Sequence, residues 1–544
     1  MKRLRPGKGQ LRIAALLCAL AATASAQEAA PAYRQYRPLE LTFQAETDCA
    51  DPFDFEAADF AAEFRAPGGE TLTVPGFWDG GRTWKVRFTP PGPGEWRYAT
   101  RFSCAGDRGL NQRQGALQVG PPEAGNPLRQ HGGILKVGPT RRFLTYTDGT
   151  PFFWLADTWW AAPSANTPLA VFKTLVDARL AQGYTAFQAH GFRPISSDSG
   201  VGAFEAFRTN TVEALQYWRA TDEYLAYADE KGLVGAMGFG VASMFDDWPQ
   251  KDLQKLWRYY IARYGAYAVT FLLTQEYNIG QGAPDQHIPK MLALGAFIKA
   301  TDPYKRAITA HPWCFSRDLG QARDEPWLDF VMLQAGHRMF MKGSNYVAMY
   351  RHEPHKPLLE SEANYEGFAA TNFVVDAGAV RRSAYTAIQS GSFGFSYGAQ
   401  GLYGGVLSRS SPGPTAKWGP VLTWEEGLHL PGGAQMQHLR ACYEAVPWWK
   451  LEPQPEALKP AGDVLVKADG AEALVLYYIS KGKVPDSVRL TGVSADAQYG
   501  GEWFDPRSGQ RKPLADPITA TADGLPLPKR PDAQDWLLLL RRAL

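Results

Sequence analysis

Two glutamates carry the first chemical signal. Glu276 follows the apolar run 269–274, and Glu362 follows 357–361. A carboxyl pair at one rim can cleave a glycosidic bond: one protonates the leaving oxygen while the other attacks the anomeric carbon or activates water. Polar and aromatic residues follow other apolar runs in the same way. The expected sugar-binding set is Asp157, Trp159, Trp160, His190, Asn278, His311, Trp313, Gln334, His337, Tyr365 and Tyr397. Arg193, Gln275 and Gln400 stand beside them. Aromatic faces at Trp159, Trp160, Trp313, Tyr365, Trp418 and Trp424 can stack on sugar rings, although Trp is as often core.

Other chemistries fit the sequence less well. His190, His311 and His337 follow three different runs and could join Asp157 around a metal, but no HxH or HExxH spacing supports this. Hydrogen bonding to sugar hydroxyls is the better reading, and no metal or cofactor is expected. Gly394-Phe395-Ser396-Tyr397-Gly398 matches GxSxG. That elbow needs a helix directly afterwards, and the glycine-rich stretch 399–405 is no helix.

The elements that must hold these residues alternate. Eight strand candidates lie at 152–156, 185–189, 233–239, 269–274, 306–310, 328–333, 357–361 and 393–397. Between them, 169–180, 217–230, 253–264 and 288–300 place apolar residues at helical spacing. Eight such units predict a (β/α)8 TIM barrel over about 130–445, whose strand ends form the active face. No GxGxxG follows the first strand, which argues against a doubly wound sheet. Residues 33–122 alternate over short runs split by Gly and Pro turns, and 451–544 do so again. The expected architecture is therefore an α/β barrel flanked by N-terminal and C-terminal β-sandwich domains.

Composition is that of a globular chain: 544 residues, 45% hydrophobic, 21% charged, with 17 Trp. Residues 1–26 read as a signal peptide: five cations, an apolar stretch too short to span a bilayer, and Ala24-Ser25-Ala26 as the cleavage site. Loss of those cations turns a formal charge of +2 into −3. Neither nucleic-acid binding nor membrane insertion is expected, and the destination is secreted or periplasmic. Cys49 and Cys104 share the N-terminal domain, so an oxidising destination leaves a disulfide and two free thiols both open. Cys314 and Cys442 read as free.

Several segments resemble known families. Pro151 through Trp160 and Lys356 through Glu366 resemble the apiosidase-like glycoside hydrolases, also called DUF4038, and Gly394–Gly398 looks like that family's eighth strand. Gly76-Phe77-Trp78-Asp79-Gly80, Val86-Arg87-Phe88 and Gly94-Glu95-Trp96 resemble the DUF5060 sandwich. Trp503 through Gly509 and Asp535-Trp536 resemble a small appended β-domain labelled collagen-binding. The resemblance implies catalytic carboxylates after strands four and seven, in agreement with Glu276 and Glu362. The family often has Gly-Gly-Asp where this chain has Thr274-Gln275-Glu276, and Gly-Glu-Pro where it has Ser361-Glu362-Ala363, so apiose specificity does not carry over. Gln275-Glu276 is instead similar to the Asn-Glu of the large retaining-barrel clan, which points to retention.

The reading that follows is an exported glycoside hydrolase acting on plant or bacterial polysaccharide or oligosaccharide, exo-acting and retaining. Glu276 is the expected acid/base and Glu362 the expected nucleophile. A non-catalytic glycan-binding barrel and a metal-dependent barrel hydrolase are the alternatives. The partner is carbohydrate, and the sequence does not set the oligomeric state.

Overall fold

The computed structural model describes residues 32–543 apart from 50, 192–211, 239–244, 246–247, 279–283, 314–319, 338–339, 370–372 and 411–417. The leader with its cleavage site, Arg193 and Cys314 lie outside the described residues.

Eight parallel strands form the central sheet: Trp154–Thr158, Ala186–His190, Val234–Gly238, Val269–Leu272, Ile308–Thr309, Val331–Leu333, Leu358–Glu360 and Ser392–Tyr397. Consecutive strands pair in parallel, and the first pairs with the eighth. Between strands five and six no ladder is assigned. They meet instead through Asp329 N–H to the Ile308 carbonyl at 2.9 Å and Thr309 Oγ1 to the Phe330 carbonyl at 2.8 Å. The eight strands with their helices make a TIM barrel. Most of their residues are fully buried, which is why each reads as an apolar run and not as an alternation.

The helices fall where the apolar spacing puts them, at Leu169–Ala181, Val212–Lys231, Gln250–Tyr264 and Pro284–Thr301. The first strand differs from expectation. It starts at Trp154 and not at 152, because Pro151–Phe152 pairs antiparallel with Leu144–Thr145 in a small sheet. That sheet closes the N-terminal end of the barrel, where Leu135 accepts the Ala307 N–H at 2.8 Å. Trp154, Phe330 and Phe393 fill the barrel floor, with ring centroids 6.0 to 6.4 Å apart. Trp154 Nε1 donates to Ser396 Oγ at 3.2 Å, so the GxSxG serine is barrel interior.

The N-terminal sandwich packs a five-stranded sheet on a three-stranded one. Phe43, Phe60, Trp84 and Phe102 interlock edge-on between them. Its joint with the barrel is ionic. Arg87 and Arg263 grip Asp222 at 2.7 and 2.6 Å, and Arg263 also pairs with Asp79 at 3.0 Å. Cys49 and Cys104 are both free thiols, the first half-buried and the second exposed.

The C-terminal sheet explains an unbroken apolar strand. In Ala473–Tyr478, Val475 and Tyr477 join the barrel core, while Leu474, Leu476 and Tyr478 face the sandwich. Both faces are buried, so the period of two disappears from the sequence. Gln389, at the end of helix Ala377–Gln389, donates to the Leu465 and Val475 carbonyls at 3.0 and 2.8 Å. Tyr385 stacks on Tyr477. No helix among the described residues is long and apolar enough to cross a membrane.

Candidate active site

Strand seven ends at Glu360, and the chain then turns so that Glu362 meets the rim. The Glu362 N–H reaches the Leu333 carbonyl at 3.2 Å, and Gly336 N–H bonds the Glu362 carbonyl at 3.1 Å. Glu360 secures this turn from below. Its Oε1 accepts the backbone N–H of Ala335 at 3.2 Å and of Glu362 at 3.1 Å, and its Oε2 accepts the Tyr346 hydroxyl at 2.6 Å. Glu360 has no exposed surface, and burial pushes its pKa up to about 7 against the pull of those donors.

Glu362 is 4% exposed but surrounded by donors. His337 Nε2 meets Oε1 at 3.0 Å. His311 Nε2 lies 3.3 Å from Oε2 but is not aligned for a hydrogen bond. Gln275 Nε2 donates to Oε2 at 3.5 Å, and Tyr365 adds its hydroxyl. Burial raises the Glu362 pKa, but the His337 hydrogen bond, the two histidines and Tyr365 outweigh it, so the net shift is downward. The carboxylate is thus held ionised in a site almost closed to water. Burial beside that carboxylate lowers the His311 pKa, with Glu362 opposing.

Glu276 follows strand four, half-buried, with φ of 48°. A side-chain-bearing residue in that left-handed region costs about 1–3 kcal/mol, a strain that concentrates at functional sites. Gln334 Nε2, from the end of strand six, donates to Glu276 Oε1 at 3.2 Å. Its neighbour Gln275 ties the two halves together, because its amide oxygen accepts from His190 while its amide nitrogen reaches Glu362. Gln275 is missing from the sugar-binding set expected of the sequence. Its place directly before Glu276 was the available signal.

Around this pair the structure collects most of the expected set. Trp160 packs on His190 at 4.7 Å and edge-on to His311 at 5.6 Å, and its Nε1 donates to the Tyr365 hydroxyl at 3.1 Å. His337 sits against Tyr365, Phe368 and Trp418. Trp313 stands 41% exposed, its backbone N–H on Asn278 Oδ1 at 2.6 Å. Beside the pair, Gln334 Oε1 and the ring nitrogens of His311 are buried and make no aligned hydrogen bond among the described residues. Those are acceptors and donors that a bound hydroxyl can satisfy.

Three expected residues lie behind the wall. Asp157 has no exposed surface. Its Oδ2 pairs with Arg179 Nε at 2.6 Å and its Oδ1 accepts the Thr158 N–H at 2.7 Å. Burial raises the Asp157 pKa, with Arg179 pulling against it. Tyr397 donates to Glu366 at 2.7 Å, and its ring lies 5.2 Å from the Arg179 guanidinium. Trp159 is fully buried and stacks on Phe187. Arg179 is the physical reason for the first two placements: a buried guanidinium draws the nearest carboxylate and aromatic faces to itself. Trp424 opens helix Trp424–Leu428, half-buried, behind the Thr423 cap. Among the described residues, no group of three His, Cys, Asp or Glu is placed to hold a metal.

Comparison with known proteins agrees with this geometry. The catalytic domain described as Apiosidase-like matches residues 139–450, and the domain of unknown function DUF5060 matches 32–103. No curated protein matches the chain in sequence. Among solved structures, a candidate glycoside hydrolase from Bacteroides vulgatus superposes with a TM-score of 0.73 at 16% identity, over 94% of this chain and 99% of that one. A second glycoside hydrolase gives 0.65 at 20% identity, over 77% and 98%. A family 5 glycoside hydrolase from Bacteroides vulgatus gives 0.65 at 19%, over 77% and 95%. At these identities the structural likeness speaks for the fold, while the sequence match spans more than half of the chain. This chain therefore belongs to the apiosidase-like family of glycoside hydrolases, with residues 139–450 as its catalytic domain.

Proposed function

We propose that the protein is an exported, exo-acting, retaining glycoside hydrolase of plant or bacterial polysaccharide or oligosaccharide. The carrying observation is the contrast between its two rim glutamates. Glu362 is buried yet held ionised by His337, His311, Gln275 and Tyr365. Glu276 sits nearby, half-buried on strained backbone, with Gln334 donating to it. An ionised, desolvated carboxylate suits a nucleophile, and a half-buried one suits a proton donor.

In this reading Glu276 gives its proton to the glycosidic oxygen as that bond breaks. Glu362 attacks the anomeric carbon and forms a glycosyl ester. Water then enters, Glu276 takes its proton, and the ester is cleaved with the anomeric configuration retained. His337 and Tyr365 hold the Glu362 oxygens in line. Trp160, His190, His311 and Gln334 bind the terminal sugar, and the orphan Gln334 Oε1 supports a hydroxyl contact there. Trp313 and Trp418 lie farther out and serve the next unit. Asp157 and Tyr397 act as positioning residues through Arg179. The closed aromatic wall of Trp160, Tyr365 and Phe368 supports cleavage at a chain end.

A hydrolysis screen tests this. Wild type, Glu276→Gln and Glu362→Ala are incubated with aryl furanosides, aryl pyranosides and plant and bacterial polysaccharides. Product from wild type alone, with Glu276→Gln slowed most on poor leaving groups, is the expected result. Full activity of either variant on a cleaved glycan would refute the assignment. Tight glycan binding with no product at any pH would favour a binding barrel instead.

A further inference from the structure

The end of the barrel opposite the catalytic mouth holds a cavity of about 270 Å³. It lies where the closing sheet, the start of strand eight and the linker into the C-terminal sandwich meet. That size is near the lower end of small-molecule sites, about 300 Å³, and suits one sugar residue better than a chain.

Its chemistry is uneven. Three cations line it, Arg142, Lys450 and Lys467, against one carboxylate, Glu452. Lys467 is the unusual member. It is only 5% exposed, yet its ammonium has no hydrogen bond or ion pair within 4.0 Å among the described residues. The neighbouring strands explain how it is trapped: Lys467 pairs with Val475 on one side and Pro453 on the other, so its side chain points off the sheet toward the barrel floor. Burial lowers its pKa to about 8, with Glu452 on the paired strand pulling the other way, so it still carries a proton at neutral pH. An ammonium at a cavity wall with no ion-pair partner within 4.0 Å can hold an anion that enters the cavity.

The second feature is Trp449. Five large apolar side chains are exposed among the described residues, and the other four, Trp313, Phe373, Val374 and Leu407, follow strands five, seven and eight on the catalytic side. Trp449, 38% exposed, stands at this cavity instead. The Arg142 guanidinium sits over the Tyr350 ring, 3.8 Å from its centroid, and bonds the Tyr350 carbonyl, which fixes it at the cavity wall.

We propose that this cavity is a second carbohydrate site that takes a single acidic sugar, a uronic acid, with its carboxylate on Lys467 and its ring against Trp449. Arg142 gives a second donor, and Glu452 accepts a sugar hydroxyl. The site shares no residue with the Glu276–Glu362 pair, so it stands whichever sugar that pair cleaves.

The test is a tryptophan-fluorescence titration near neutral pH with sodium D-glucuronate, D-glucose and sodium sulfate. Wild type, Lys467→Met and Trp449→Ala are compared. Glucuronate is expected to bind wild type in the millimolar range and about tenfold more weakly to each variant, the loss of one charge-assisted contact. Glucose should bind wild type at least about tenfold more weakly than glucuronate. Hydrolysis at the far end should be unchanged in both variants. Trp449 is at the surface, so its variant folds whatever becomes of Lys467→Met. Equal glucuronate binding by Trp449→Ala and wild type, or no preference for glucuronate over glucose, would overturn the proposal. Sulfate binding as tight as glucuronate and indifferent to Trp449→Ala would mark a bare anion site and overturn the sugar assignment.

Discussion

Replacing Glu360 by Gln should make the protein more resistant to rising pH. In the fold, burial lifts the Glu360 pKa from 4.5 to about 7. Below pH 4.5 the group is neutral in both folded and unfolded chains, so its contribution to stability is fully present. Between 4.5 and about 7 the unfolded chain ionises while the folded one does not, and stability falls by up to about 1.4 kcal/mol per pH unit. Above about 7 the folded group ionises too, and the loss levels off. From about pH 5 to about pH 8 the accumulated loss is roughly 2–3 kcal/mol. Gln at this position does not titrate, keeps an oxygen for the Ala335 and Glu362 N–H groups, and offers its amide to the Tyr346 hydroxyl. The stability difference between Glu360→Gln and wild type should therefore move toward the variant by that amount over the same interval. Urea unfolding followed by tryptophan fluorescence at four pH values measures it, and comparing the two proteins cancels every other titrating group. A difference that stays constant within about 0.5 kcal/mol would mean that Glu360 ionises like an exposed carboxyl, and the account of its burial would be wrong. Glu360→Ala gives the converse. It leaves the buried Ala335 N–H and the Tyr346 hydroxyl without their acceptor, at about 1–3 kcal/mol each, while the Glu362 N–H keeps the Leu333 carbonyl, and it should cost activity that Gln preserves.

Three further outcomes follow from other contacts. His337→Ala removes the main donor that keeps the Glu362 pKa low, so the acid limb of the kcat/KM profile should shift to higher pH, with a rate loss of about 10–100-fold at pH 5; an unmoved limb would detach that limb from Glu362. Gln334→Met removes both the donor to Glu276 and the orphan acceptor, and should raise KM and lower kcat together by several-fold, as steady-state kinetics on the first cleaved glycoside would register. Asp222→Ala takes the shared carboxylate from Arg87 and Arg263 at the joint between N-terminal sandwich and barrel, leaving them Glu40 and Asp79, and should destabilise by up to about 3–5 kcal/mol, measured as a lower Tm; a change under about 1 kcal/mol would show that the pair is well solvated.

Much of the site was legible because barrel physics is simple. A strand buried on both faces must be apolar, so the first polar residue after each run marks the rim. That logic alone located Glu276, Glu362, His311, Gln334 and His337. It has no term for what lies behind the rim. Asp157 and Tyr397 satisfy the same rule, but Arg179 comes from a helix and reaches between strands one and eight. Glu360 was also hidden. In a three-residue strand a buried acid looks like the next rim residue, and only the backbone N–H groups that it accepts show that it faces inward.

What the chain order alone determined is the set of local preferences: apolar runs of strand length, helical stripes between them, turns rich in Gly and Pro, and two acids after the fourth and seventh runs. Local preferences depend on neighbours a few residues away, so they can be read in one dimension. The tertiary structure decided which polar groups meet. Gln275 joins His190 to Glu362 across 85 and 87 residues of chain, and Lys467 stands at a cavity wall where two sheets and a barrel floor converge. Charge, burial and hydrogen bonding act through space. The protonation of Glu360, Glu362 and Lys467 was therefore set only when the fold had chosen their surroundings.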